Sequence, residues 1–470
     1  MIRGYPRQPS PVAGGEVVLH VATDAPEFRV EFYRYGAEFQ RHGVSEWQPG
    51  RDAPPHLPYS DWGEQGRGLD GEPLAPWPAY RFALPEAGPP GVYVAVLVEG
   101  DGWGGEASQP DRSTPDGRDA RALFVVRPRA PTPGALLYKL PVLTYFAYDV
   151  VHGELFDPRT RRGLWCFYNP PLLSELPEEV PRSLGLHKPG GGTGGVPYDI
   201  GNWDPFDPTP RQTFVHWDGP FVRWLERSGY AVDYCTDVDL HRQGHGLLRP
   251  YRLLVSAGHD EYWSDTMRGA VEAHVDEGGG AAFFSGNTLW WRVVFDDEHT
   301  FRRVTQWGAD PERSDEPENT LLGTSFRNGG ERDRDEHPVP VGFRVQHADS
   351  WVYAGTGLAD GDVFGDGPHE YLVGYECDGA LFDRADLGAG RPVRPSRQDG
   401  TPSGFQILGV GDLAPSGWGL GNGAATMGVL RRGAGTVFNA ATTDWARLLD
   451  RSPAVERITR NVLDRLGRPE

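Results

Sequence analysis

Lysine is almost missing from this chain. Only Lys139 and Lys188 occur among 46 basic residues, so nearly all positive charge is arginine. We read this as a compositional bias, not a functional signal. Basic residues are also outnumbered, 46 against 66 acidic ones, for a formal net charge of −20. Such an excess repels phosphate backbones and anionic bilayers, which excludes nucleic acid and membrane surfaces as expected partners. Cysteine is scarce too. Cys166, Cys235 and Cys377 have no metal-ligand spacing and cannot all pair, which suits a reducing compartment and predicts a cytoplasmic protein. The opening MIRGYPRQPS lacks an apolar core, so no signal peptide is expected. No run of about 18 apolar residues occurs, so no membrane-spanning helix is expected.

What is present is glycine (63), proline (43) and 15 tryptophans, in 470 residues whose hydrophobic share is 38%. That length suffices for two or three domains. Segments 16–35, 80–84, 91–99 and 122–126 are strand candidates, some alternating apolar and polar residues, separated by turn-rich stretches without helical period. They predict an immunoglobulin-like β-sandwich over residues 1–128, with 129–135 as a proline-rich linker. Residues 136–470 then form an α/β domain. Its first strand is expected over 140–143, a helix over 213–228 with Phe221, Trp224 and Leu225 inward, and a strand over 230–234. The loop 150–210, rich in glycine and aromatics, reads as an ordered lid. Residues of about 300–430 read as an insertion that covers the sheet, before a late strand at 435–439 and a closing helix.

The centre of the chain is 251–292, YRLLVSAGHDEYWSDTMRGAVEAHVDEGGGAAFFSGNTLWWR. It reads as strand, polar turn, amphipathic helix capped by Ser264 or Asp265, glycine stop, strand and polar turn. A strand–helix–strand of this length makes a right-handed parallel unit, and parallel sheets bind ligands at the carboxyl ends of their strands. His259, Asp260, Glu261 and Tyr262 follow the first strand, and Asn287 the second. The cluster 259–262 is either a general-base or metal group or an acidic helix cap. Asn287 is either an oxyanion donor or a turn cap. Asp237, Asp239 and His241 have a spacing open to a cation or to a capped turn. Cys235 is a thiol at a strand end, nucleophile or buried structural group. Of Glu316, Glu318, Glu370 and Glu376 in the insertion, Glu376 lies in an apolar setting and needs a partner if buried.

The motifs GHDEYW, FFSGN and WW, preceded by YAVDYCTDVDLH and LPVLTYFAY, resemble the large (beta) subunit family of bacterial N,N-dimethylformamidase. The resemblance implies a doubly wound domain akin to class I glutamine amidotransferases behind the sandwich, and an amidohydrolase acting on the C–N bond of a small amide. It also implies a mononuclear iron held by two tyrosines and one glutamate. Tyr262 and Glu318 match as metal ligands, while the second tyrosine position corresponds to Phe221, which cannot ligate. His259, Glu261, Asn287 and Asp237 are the expected catalytic groups. The partners implied are a small-molecule amide and either a second copy or a small partner subunit. A non-catalytic ligand-binding protein on the same scaffold, with a carbohydrate in the crevice, is the alternative reading.

Overall fold

The computed structural model describes residues 2–53, 75–84, 88–100, 120–148, 167, 183–190, 213–331, 340–368, 370–415 and 419–468. The chain is mixed α/β. Its N-terminal part forms two antiparallel sheets. One orders Arg3–Pro6, Glu16–Ala22 and Ala79–Ala83. The other orders Phe39–Val44, Glu27–Tyr35, Gly91–Glu99 and Arg121–Val126, with Gln48–Pro49 added to Glu27–Tyr35. Alternation decides which side chains turn inward: Tyr80 and Phe82 are buried while their neighbours face water. Val17, Leu19 and Val21 of one sheet share a cluster with Phe28, Val30, Leu97 and Phe124 of the other.

The rest of the chain builds on a nine-stranded sheet. Its strands in chain order are β1 (Leu136–Leu140), β2 (Val232–Thr236), β3 (Leu253–His259), β4 (Gly280–Gly286), β5 (Phe343–Val345), β6 (Val363–Phe364), β7 (Phe405–Asp412), β8 (Ala424–Arg432) and β9 (Gly435–Asn439). Across the sheet they run β2-β1-β3-β4-β9-β8-β7-β5-β6. The first five are mutually parallel, and β8, β7, β5 and β6 extend them antiparallel. β1, β3, β4 and β9 are buried along their whole length, as strands covered on both faces must be.

Among the described residues the helices of seven or more residues are α1 (Val142–Tyr148), α2 (Gly219–Arg227), α3 (Asp237–Gln243), α4 (Asp265–Asp276) and α5 (Pro453–Gly467). α4 links β3 to β4 as expected: Ser264 caps it, and Met267, Ala270, Val271 and His274 are buried. Three expectations shift. The first strand is 136–140, not 140–143, because Pro141 has no N–H for the ladder and its carbonyl instead receives Thr144 N and Tyr145 N to start α1. The helix expected over 213–228 is two pieces, Phe214–Trp217 and α2, divided at Asp218 where Pro220 begins a new first turn. The 300–430 stretch does not only cover the sheet; it supplies β5 to β8. Of the expected lid 150–210, only 167 and 183–190 fall among the described residues.

One apolar cluster runs from β1 to α5 and takes in Tyr35, Val92, Leu123 and Val125 of the N-terminal sheet. Arg34 pairs with Glu226 of α2 at 2.6 Å across the same boundary. Among the described residues no helix is long and apolar enough to cross a membrane.

Candidate active site

β3 leads into a sharply turned segment. Gly258 has φ +68, and a Cβ there would lie 2.4 Å from Trp217 Cβ, so the position admits only glycine without strain. The turn is then fixed from every side. The Asp260 carboxylate accepts from Lys139 Nζ (2.8 Å), Ser256 Oγ (2.5 Å) and Trp263 Nε1 (3.0 Å). Glu261 N donates to Thr144 Oγ1 at 3.0 Å. The carbonyls of Asp260 and Glu261 accept from Leu289, Trp290 and Trp291. With Asp260 held on one side, His259 and Glu261 are presented from a rigid backbone.

His259 Nε2 lies 2.7 Å from Glu376 Oε2 and 3.4 Å from Glu261 Oε2. Tyr148, at the end of α1, donates its hydroxyl to Glu261 Oε2 at 3.0 Å. Asn287, just past β4, donates Nδ2 to Glu376 Oε2 at 3.1 Å and lies 3.5 Å from His259 Nε2. Trp217 and Tyr375 stack on each other, and both lie nearly perpendicular to the His259 ring. His259, Glu261, Glu376 and Asn287 are all buried. Two carboxylates, an imidazole, a phenol and a carboxamide thus meet at the ends of parallel strands, where charge interactions are strong because water is excluded.

The strand Glu376–Gly379 brings in Glu376 from the 300–430 stretch. It is held down by the last strand end: Thr443 N donates to the Glu376 carbonyl, and Asp444 accepts from Gly374 N at 3.0 Å. Asn287 sits at φ +48, an uncommon conformation for a residue with a side chain. Its Oδ1 is buried and has no hydrogen-bond partner among the described residues.

The structure therefore brings together three of the expected catalytic residues, His259, Glu261 and Asn287. Asp237 belongs to a neighbouring group. Lys139 Nζ reaches Asp237 at 2.6 Å as well as Asp260, and all three are fully buried. Burial works to lower the Lys139 pKa, but the two carboxylates outweigh it and the pKa is raised. Burial pushes Asp237 up to about 7 against the pull of Lys139. Asp239 closes a capping box with Thr236, and His241 faces Ser264 Oγ; with Asp237 on Lys139, these three side chains diverge instead of gathering round a cation. Cys235 is buried and its thiol is pushed well up by that burial, the structural member of the two readings.

The two residues matched as metal ligands lie in different surroundings. Tyr262 is buried in the strand Tyr262–Ser264 with its ring 5.6 Å from Phe167. Glu318 accepts from Ser325 Oγ and from Arg327 Nε at 3.2 Å. Phe221 packs on Phe284 at 4.9 Å in the core. Sequence reasoning noted Glu376 only as an acid in apolar surroundings. It missed the structural role of Lys139, although both lysines of the chain turn out to be fully buried. Cys166 and the glycines 191–195 lie outside the described residues.

The fold and site define a mixed α/β protein with a buried histidine–carboxylate centre at the carboxyl ends of its parallel strands. Its residues 70–459 match the family described as N,N-dimethylformamidase beta subunit-like, C-terminal, and the chain belongs to that family. It is 27% identical over 308 residues to the N,N-dimethylformamidase beta subunit of Paracoccus aminophilus, and 27% identical over 310 residues to that of an Alcaligenes species. Each match covers 59% of this chain and 40% of the relative, so the chain spans well under half the length of these relatives. Among solved structures, a ThuA-like protein from Bacteroides uniformis is similar over 52% of this chain and 82% of its own, at 12% identity and a TM-score of 0.30, a likeness too slight to carry fold or function.

Proposed function

We propose that the chain is an amidohydrolase that cleaves the C–N bond of a small amide. The observation that carries this reading is His259, held between Glu376 and Glu261 with the Asn287 carboxamide beside it. Amide hydrolysis needs a base to take a proton from water, an acid to return it to the leaving nitrogen, and a donor for the developing oxyanion. His259 can do the first two in turn, with Glu376 orienting the ring and stabilising its charged form. The Asn287 amide is placed to serve as donor.

A metal fits this reading through its donor set. Among the described residues no three His, Cys, Asp or Glu side chains are arranged to hold a metal, so a metal held by them needs another kind of ligand. Tyr148 is of that kind and stands beside Glu261: a phenol and a carboxylate with their oxygens 3.0 Å apart, hard donors suited to iron. We assign these two as ligands in place of Tyr262 and Glu318. Iron there would supply Lewis acidity toward water and the amide carbonyl.

The N-terminal sheets, residues 1–128, we read as an immunoglobulin-like sandwich, and 136–470 as the amidotransferase-like domain. The relatives are named as beta subunits, and we propose that this chain works beside a small partner subunit. The free, buried thiols of Cys235 and Cys377 suit a reducing, cytoplasmic setting. The test is amine release from a panel of N-alkyl formamides and acetamides, with elemental analysis and a visible spectrum of the purified protein. The reading expects near-stoichiometric iron, a phenolate band lost in Tyr148→Phe, and turnover lost in Glu376→Gln. Turnover undiminished in Glu376→Gln overturns it.

A further inference from the structure

We propose that Asp378 is a positioning residue which holds the loop after β4 in its strained form and so aims the Asn287 amide at the reacting centre. The inference rests on the amide-hydrolysis reading of the site. Its grounds are geometric. Asp378 Oδ1 accepts Asn287 N at 3.0 Å and Oδ2 accepts Thr288 N at 3.3 Å. The two backbone N–H groups follow each other through a left-handed residue, so they point the same way, and one carboxylate spans both. Leu289 is also left-handed, at φ +59. Two non-glycine residues in that region within three positions cost about 1–3 kcal/mol each unless the surroundings hold them.

The loop cannot relax toward β9 or the crossing strand. A Cβ at Gly286 would meet Thr443 N at 2.6 Å and the Glu376 carbonyl oxygen at 2.7 Å. Ser285 Oγ and Thr288 Oγ1, 2.7 Å apart, close the turn from below. Glu376 and Asp378 stand two apart on one strand, so both side chains leave its same face. Glu376 takes the Asn287 side chain and Asp378 its backbone. One short strand therefore sets both ends of Asn287, and the acid that meets His259 comes with the anchor that places the donor.

Asp378 is a costly anchor. It is fully buried, and burial first, then Glu318 and Glu376, push its pKa well up against the two backbone bonds. Asp378→Asn keeps the shape, removes the burden of charge and turns one acceptor into a donor against a backbone N–H. Positioning and stability then separate: activity falls while the melting temperature does not.

The experiment is a double-mutant cycle of Asp378→Asn and Asn287→Ala on the amide that the wild type cleaves fastest, with melting temperatures and crystal structures of each variant. Losing an oxyanion donor outright lowers kcat by about 100- to 1,000-fold, so loosening one should lower it about 10- to 100-fold with KM within about two-fold. In the Asn287→Ala background the same change should alter kcat by less than about two-fold. Losses that multiply, or a melting temperature that falls in step with kcat, overturn the proposal. If the wild type cleaves no amide, the functional reading of the site fails on its own. The crystal structure of Asp378→Asn then decides the anchoring: residue 287 leaving the left-handed region supports it, and an unchanged loop refutes it. Asp378→Thr, which retains one acceptor, serves if the amide variant does not fold.

Discussion

Lys139→Met removes the charge that joins Asp237 to Asp260 while nearly conserving volume, so packing is spared and the cost is electrostatic. Nζ stands 2.6 Å from one carboxylate and 2.8 Å from the other, and 4.7 Å from the centre of the Trp263 ring. All three charged residues are fully buried. Breaking a buried ion pair by removing one partner costs about 3–5 kcal/mol, because a charge stays behind without its counter-ion. Here two stay behind. Asp237, pushed up to about 7 mainly by burial even with Lys139 present, takes a proton first, which holds the loss at pH 6 to about 3 kcal/mol. At pH 8 the unfolded state leaves Asp237 ionised while the folded variant must protonate it, so the loss grows. Urea unfolding at the two pH values reads both numbers. The triple variant Lys139→Met, Asp237→Asn, Asp260→Asn, with no charge left to bury, should recover most of the loss. A single variant within about 0.5 kcal/mol of wild type at pH 8 would refute the argument, since exposed pairs give losses of that size.

The same acid gives a second outcome. Asp237 has a folded pKa of about 7, above the ~3.9 of an unfolded aspartate. Its contribution to stability is therefore full below ~4 and lost as pH rises through about 7. Wild-type unfolding free energy should fall between pH 5 and 8, and Asp237→Asn should flatten that slope; equal slopes count against the assignment. Gly258→Ala should cost about 3 kcal/mol, from left-handed backbone strain and from a Cβ overlapping Trp217, seen as a lower melting temperature in calorimetry; a neutral result would mean that the turn before His259 is not fixed. Cys235 and Cys377 are buried, with thiols pushed up primarily by that burial, so neither should react with a chromogenic disulfide in the native protein, and Cys235→Ser should keep full activity. Rapid native labelling of Cys235 would reopen the nucleophile reading.

The parallel core was legible because its signals are local. A buried strand is a short apolar run, and Leu253 to Val255 and Ala281 to Phe284 are such runs; a helix start needs a cap, and Ser264 is one. Strand-end logic then found His259, Glu261 and Asn287, which are near one another only because β3 and β4 are adjacent and parallel. It failed where contact is non-local. Glu376 reaches His259 from more than a hundred residues away on a strand four residues long, and no periodicity marks so short an element. Tyr148 reaches Glu261 from the end of α1, a helix that begins after Pro141 where a strand over 140–143 was expected. The lysines hid in plain view. In a chain that uses arginine for nearly every positive charge, a lysine kept in the interior marks a site where a planar guanidinium would not serve. Between Asp237 and Asp260 a compact head with donors in several directions meets both carboxylates at once. The same logic makes Lys139→Arg a harsher change than its chemistry suggests, since the larger head must displace Trp263, which packs against the ammonium and itself donates to Asp260.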